Sequence, residues 1–399
     1  MIATRSCRAM VLALALGLAA TACTDHLAGI TGTTSIKVDL VSPADTGSIT
    51  NRLQPTQNTL TVNLSAIDAN GKPDTNYSNQ LQVYVQYLGT LTPDPDQGQA
   101  PLQVVQMAGG SASNVFITLP PAVYGPVVVW FDDAADVGKT YATGVSPTLW
   151  YRDPFVVDIE TPTSETSVDA FYVGPLDNKN VAVKGSRYGA QGRLVVTSVF
   201  SQGYTVADVN CADANGTPPC VSADYDYLEI FSYSAPLDQD KRFISEGQVI
   251  DGFAGGVTEF DGLTEIGFPQ TFISTIDINT AREPVAVKLD PLTWFSTNKI
   301  EFERNEGGAI EIDNAKVCPL DNDYVTYKQW KIDPAGVADP ATCTGDHAIN
   351  VITTGLQLDP ATLVGKTLPK VVGMLRPINI GSFNIWIIYP RSLNDIVTP

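Results

Sequence analysis

The chain has 399 residues, of which 43 are acidic and 24 are basic, so its formal net charge at pH 7 is −19. This excess of acids disfavours binding to nucleic-acid phosphates, which depends on Lys and Arg releasing counterions. The length suits two or three domains. Only 17% of the residues are charged, and Thr, Val, Gly and Asp are frequent, a composition that favours β-strands joined by turns.

The N-terminus has the pattern of an export signal. Arg5 and Arg8 precede the apolar run VLALALGLAA at 11–20, and the small residues TAC follow. The run has about ten residues, whereas a membrane span needs about 20. The order of basic flank, apolar run and small residues therefore predicts a secretory signal peptide over 1–22.

Cys23 adds a second signal to this segment. The sequence ATAC at 20–23 resembles the lipobox of bacterial lipoproteins, in which the cysteine becomes the acylated N-terminus. An ordinary Ala-x-Ala cleavage site would be cut at the same bond without lipidation. The resemblance implies a lipidated tether over 23–35 and, because Thr24 and not Asp follows the cysteine, an outer-membrane lipoprotein that faces the periplasm or the cell surface. Stable anchoring takes more than one acyl chain.

The cysteine count agrees with lipidation. The chain has six cysteines, and Cys7 leaves with the signal peptide. Lipidation of Cys23 then leaves an even number, which we expect to be oxidised in an exported protein. The four fall into two local pairs, Cys211 with Cys220 and Cys318 with Cys343.

Residues 36–155 show short strands separated by turns. SIKVDLV and TLTVNLSAID alternate apolar and polar residues at period two, and turn clusters such as NGKPD lie between the strands. This spacing predicts a β-sandwich. The segment AIDANGKPD and the strands after it resemble bacterial immunoglobulin-like domains, which often act as spacers. Pro and Ser/Thr residues in RDPFVVDIETPTSETS then predict a linker at 156–179.

The rest of the chain predicts two OB-like β-barrels. Between 180 and 275, five strands with one long member fit an OB barrel. RLVVTSVFSQGYTVAD and EGQVIDGFAGGVTEFDGLTEI resemble the OB-fold accessory region of secreted bacterial nucleases, and KIEFERNEGGAIEIDNAKV resembles the segment that follows it there. A second barrel is predicted at 276–399. We do not find the motifs of the nucleases' catalytic domain. The predicted fold class is all-β, a sandwich followed by two barrels.

The stretch GGVTEFDGLTEI in the first predicted barrel contains three carboxylates. Asp261-Gly262 is a strong type I′ hairpin signal. With a two-residue loop, Glu259 faces Thr264 across the hairpin, and Glu265 points to the opposite side of the sheet. Because Glu259 and Glu265 diverge, we predict a barrel hairpin here and not a catalytic acid pair.

An aromatic strand, DYDYLEIFSYS, is the candidate ligand-binding surface. At period two, Tyr225, Tyr227, Phe231 and Tyr233 share one face, and an exposed row of such rings could stack on bases or sugars. The alternative is that these rings pack against a neighbouring domain. We favour this alternative because acidic residues outnumber basic ones around the strand, which opposes nucleic acid. A glycan or a protein ligand is less opposed.

Neither catalysis nor a metal is indicated. Beyond the signal, the histidines are His26 in the tether and His347 near a strand start, and no Gly-x-Ser-x-Gly elbow accompanies them. The acidic turns DANGKPD, DDAAD and DND offer oxygen ligands for calcium but do not match an EF-hand loop. We predict no catalytic residue, no metal ligand and no cofactor, although calcium in these turns stays open.

The sequence therefore favours an outer-membrane-anchored lipoprotein that acts as a non-catalytic extracytoplasmic binding or assembly module. Its partners would be the membrane, through the N-terminal lipid, and a glycan or protein ligand. One alternative is an accessory or hydrolytic subunit that acts on extracellular nucleic acid or polysaccharide. Another is a purely structural envelope protein. The oligomeric state stays open.

Overall fold

The computed structural model describes residues 32–88, 100–133, 142–166, 173–295, 299–334, 343, 347–380 and 383–399. This part of the chain forms two compact units, one ending at Arg152 and the other beginning at Asp153. Strands dominate both units, which confirms the predicted β class. In the described ranges, no helix has both the length and the apolarity to cross a bilayer. The predicted signal peptide and Cys23 lie outside the described residues.

The first unit is built from strands with the expected alternation. Leu60, Val62 and Leu64 are at most 1% exposed, whereas the residues between them are partly exposed. Its strands are β1 Thr33–Ser42, β2 Thr59–Asp68, β3 Gln80–Tyr87, β4 Gln103–Gln106, β5 Ser111–Thr118, β6 Pro126–Asp132, β7 Thr143–Val145 and β8 Leu149–Trp150.

These eight strands form one hydrogen-bonded sheet in the order β4-β3-β6-β7-β1-β2-β5, with β8 added to β6. All pairs are antiparallel except the short β1–β7 contact. The immunoglobulin-like sandwich proposed for 36–155 stays a prediction.

The second unit begins with a short helix, α1 (Val156–Glu160), inside the segment predicted as a linker. Val156 and Ile159 are fully buried, and the helix packs against the strand Tyr227–Phe231. The segment predicted as a linker at 156–179 therefore begins with a buried helix, and the linker assignment itself stays a prediction. The Pro and Ser/Thr pattern that suggested a linker did not reveal this burial.

The first sheet of this unit closes on itself. The strand order is β10-β11-β13-β15-β14, β14 pairs back with β10, and β13 runs parallel to β15. We call this closed sheet barrel 1. Its strands, with two short additions, are β9 Asn180–Val183, β10 Gly192–Phe200, β11 Gly203–Cys211, β12 Cys220–Val221, β13 Tyr227–Phe231, β14 Val249–Phe260 and β15 Leu263–Ile273.

The β14–β15 hairpin has the predicted register. Glu259 pairs with Thr264, and Thr258 pairs with Glu265, so the two glutamates point to opposite sides. Asp261 and Gly262 form the turn with φ of 52° and 87°, as a type I′ turn requires.

The second sheet of the unit repeats this topology. The order is β17-β18-β19-β21-β20, β20 pairs back with β17, and β19 runs parallel to β21. We call it barrel 2. Its strands and short additions are β16 Val287–Lys288, β17 Ala309–Val317, β18 Gln329–Asp333, β19 Ile349–Ile352, β20 Thr367–Ile380, β21 Phe383–Tyr389 and β22 Ile396–Val397. The accompanying helices are α2 Pro291–Trp294, α3 Ile300–Arg304 and α4 Asn322–Tyr327.

Both predicted disulfides are present, one in each barrel region. Cys211 bonds Cys220 and links β11 to β12, and Cys318 bonds Cys343. Because each bridge joins nearby parts of the sequence, the pairing could be predicted from spacing alone.

Candidate functional site

The four predicted aromatic residues do not form one exposed row. Tyr225, just before β13, and Tyr227, at its start, are only 8% and 2% exposed. The Tyr225 hydroxyl donates a hydrogen bond to Glu165 over 2.6 Å. The Tyr227 ring lies against Gly308 at the start of barrel 2, where a Cβ would come within 2.7 Å of the ring. Tyr227 also packs in the apolar core of barrel 1 with Val195 and Val249, so neither of these two rings is open at the surface.

The other two aromatic residues remain at the surface and meet a third ring. Phe231 contacts Tyr233 edge-on with centroids 4.5 Å apart, and Tyr233 stacks on Phe268 at 4.8 Å. Tyr233 is 53% exposed and Phe268 is 81% exposed. We call these three residues the aromatic stack. The sequence analysis missed Phe268, which lies on β15 and carries no local motif.

Arg376, on β20 of barrel 2, contacts the face of barrel 1 at β13. The Arg376 guanidinium lies 2.7 Å from the Glu229 carboxylate and over the ring of Phe200 at 5.6 Å. Glu229 is fully buried, and its partner across the parallel β13–β15 pair is Glu265. Burial raises the pKa of Glu229 to about 7, although the positive charge of Arg376 acts in the opposite direction.

Further hydrogen bonds join the barrels around this arginine. The backbone N–H of Asn379 on β20 donates to the carbonyl of Asp261 in the barrel 1 hairpin over 2.6 Å. At another point, Arg391 donates to the Thr197 carbonyl and to the Glu283 carboxylate, over 2.9 and 2.7 Å. Barrel 1 and barrel 2 therefore share a polar and extensively bonded junction.

Barrel 2 has a cavity of about 330 Å³ across β18, β19 and β21. Asn350 lines it, is only 4% exposed, and has a side-chain oxygen with no hydrogen-bond partner among the described residues. The rings of Phe302 and Trp386 stack at 5.5 Å along one wall. The Asn384 amide, Lys299 and Lys331 also line it, and among the described lining residues none is a carboxylate. Such a combination of rings and amides suits a small polar ligand with an apolar face.

A cavity of about 350 Å³ on barrel 1 is less suited to a ligand. Its cationic side chains are already engaged: Lys184 pairs with Asp153, and Arg193 donates to the carbonyls of Ala190 and Gly192. The rest of its lining is mostly glycine and apolar side chains.

Two of the acidic turns use their carboxylates within the protein, and the third, DDAAD at 132–136, lies partly outside the described residues. Asp68 accepts hydrogen bonds from the backbone N–H groups of Asn70 and Lys72. Asp321 caps α4 and pairs with Lys331 over 2.7 Å. Across the described ranges, no three His, Cys, Asp or Glu side chains are grouped so as to hold a metal ion. His347 contacts the ring of Phe295 edge-on at 5.1 Å.

Comparisons with known proteins do not place the chain in a family. No family model matches it, and no curated protein matches it. Among solved structures, dimeric latent PorU from Porphyromonas gingivalis matches with 8% identity and a TM-score of 0.20, over 89% of this chain and 34% of that chain. The chain thus spans about a third of that protein's length, and a likeness this low carries no argument about fold or function.

Replacing Arg376 by Met should lower the free energy of unfolding by about 3 kcal/mol at pH 8, because it leaves Glu229 as an unpaired buried charge. The loss should be smaller at pH 5, where Glu229 of the variant is protonated. Urea denaturation at the two pH values measures both. The exposed Lys37→Met change in the first unit is the control. An equal loss at both pH values would contradict the assigned role of Arg376.

Proposed function

We propose that this chain is an exported lipoprotein, anchored through Cys23, whose two closed sheets are OB barrels that form a non-catalytic binding module. The order of the five closing strands is the same in both sheets and supports the OB assignment. Numbered along the chain, the strands pair in the order 1-2-3-5-4, strand 4 pairs back with strand 1, and strands 3 and 5 are parallel. The two disulfides fit an oxidising compartment, which agrees with export.

The two barrels have different tasks under this proposal. OB barrels bind ligands on the face of the second and third strands and at the first and last hairpin loops. In barrel 1 this surface is taken up by barrel 2, since Arg376 binds Glu229 and Asn379 binds Asp261. The corresponding surface of barrel 2 carries the cavity lined by Asn350. Barrel 1 therefore serves assembly, and barrel 2 serves ligand binding.

The lining of the cavity favours a glycan as ligand. Aromatic rings pack against the C–H face of a sugar, and amides exchange hydrogen bonds with its hydroxyls. The volume of about 330 Å³ is at the small end for ligand sites and suits one or two sugar units. The observation that carries the proposal is the lining of this cavity, which combines the stacked rings of Phe302 and Trp386 with the amides of Asn350 and Asn384.

A glycan array with a single-stranded DNA panel tests the ligand class. We expect a glycan to bind and the DNA to fail, and we expect Asn350→Ala and Asn384→Ala to weaken glycan binding about tenfold by loss of hydrogen bonds to the ligand. Phe268→Ala, in the aromatic stack, is the matched control and should bind normally. Loss of binding in Phe268→Ala alone would place the site on the aromatic stack and contradict the cavity assignment.

The membrane anchor has a separate test. Changing Cys23 to Ala should move the protein from the membrane fraction to the soluble fraction, because the acylated residue is lost. Globomycin, which blocks lipoprotein signal cleavage, should leave the original chain unprocessed. Normal processing and unchanged fractionation in both experiments would contradict lipidation.

A further inference from the structure

Four glutamates from α1, the barrel 1 hairpin and the α3 segment lie close enough for their charges to act on one another, and two of them bond the same residue, Thr264. They are Glu160 at the end of α1, Glu259 on β14, Glu303 in α3, and Glu306 just after α3. We call them the acid cluster. Glu160, Glu303 and Glu306 are no more than 5% exposed, and Glu259 is half-buried.

Thr264 ties two of these side chains to the hairpin. Its backbone N–H donates to the Glu306 carboxyl over 2.6 Å, and its hydroxyl donates to Glu259 over 2.9 Å. Glu303 and Glu306 are one helical turn apart, and the N–H of Glu306 donates to the carbonyl of Glu303. The cluster thus spans the contact between barrel 1 and the segment that leads into barrel 2.

Each of the four carboxyl groups has one buried oxygen without a hydrogen-bond partner in the described structure. A buried carboxylate with no partner is costly, by several kcal/mol. A protonated carboxyl instead has an O–H that can donate to a neighbouring carboxyl. The burial of these unpartnered oxygens therefore favours the protonated form of the carboxyl groups.

The basic groups around the cluster are committed elsewhere. Arg304 pairs with Glu165 and Glu301, over 3.0 and 2.9 Å. Lys179 donates to the carbonyl of Pro175. The other charged groups that act on the cluster are Asp177, Glu229 and Glu265. Lys179 acts on Asp177, Arg304 pairs with Glu301, and Arg376 acts on Glu229 and Glu265.

Burial and mutual repulsion act together on these groups. Burial, then the charges of neighbouring glutamates, raise the pKa of Glu160, Glu303 and Glu306 well above the usual range, and burial raises the pKa of Glu259 to about 7. No basic side chain lowers the pKa of any of these four glutamates.

We propose that the acid cluster is a proton-dependent latch that holds the barrel 1 hairpin against the start of barrel 2 and releases it in alkaline medium. A group whose pKa is raised by folding binds more protons in the folded state, so its contribution to stability is fully present below about pH 4.5 and is lost as the pH rises through the folded-state pKa. The latch needs no ligand, so it stands apart from the proposed binding function.

Hydrogen exchange of the full chain, read by mass spectrometry and corrected for the intrinsic effect of pH, tests the latch. Peptides covering 257–266 and 300–310 should exchange about tenfold faster at pH 8.5 than at pH 6, because opening of the junction becomes easier. Glu303→Gln and Glu306→Gln keep the shape of the side chain and remove its charge. Both variants should stay protected at either pH.

Glu301→Gln is the matched control, since Glu301 lies in the same helix but pairs with Arg304, outside the cluster. It should keep the pH response of the unchanged protein. If one variant does not fold, Glu160→Gln makes the same test from α1. An undiminished pH response in the glutamine variants would overturn the proposal. Calcium chloride that restores protection of the unchanged protein at pH 8.5 would also overturn the proposal, because a cation could then replace the protons.

Discussion

The packing of barrel 1 against barrel 2 depends on how buried carboxyl groups are neutralised. One pair, Glu229 and Glu265, meets the guanidinium of Arg376. The acid cluster has no such cation and is neutral only if it holds protons. The same junction thus contains one part in which a guanidinium faces buried carboxyl groups and another in which buried carboxyl groups have no facing cation. Both parts lie on the hairpin of barrel 1 or beside it, so the hairpin supplies many of the contacts that join the two barrels.

This junction also decides which surface can take a ligand. The two barrels share one strand order, yet Arg376 and Asn379 of barrel 2 occupy the face of barrel 1 that such folds commonly use for binding. The equivalent surface of barrel 2 retains a cavity with a buried amide. The two copies of this topology therefore differ, since barrel 2 contacts this face of barrel 1, whereas the same face of barrel 2 has a cavity.

Features that depend on adjacent residues were predictable from the sequence. The approach of residues that are distant in the sequence was not. Asp261-Gly262 gave the hairpin and its register, since a two-residue turn depends on adjacent residues alone. The prediction that Glu259 and Glu265 point to opposite sides of the sheet is also confirmed. However, Glu160 lies about a hundred residues from Glu259 in the sequence, and no periodicity connects them. The burial of Tyr225 and Tyr227 likewise depends on residues distant in the sequence, so parity along β13 alone could not predict which rings are exposed.

The most direct measurement is a carboxyl ¹³C NMR titration of the full chain with labelled glutamate. Resonances of Glu303 and Glu306, assigned through their Gln variants, should titrate well above the ordinary glutamate pKa of about 4.3, as neutral buried acids do. Exposed glutamates in the same spectrum provide the reference. Titration of Glu303 and Glu306 together with those exposed residues would contradict the account, because the barrels would then be joined by charged carboxylates.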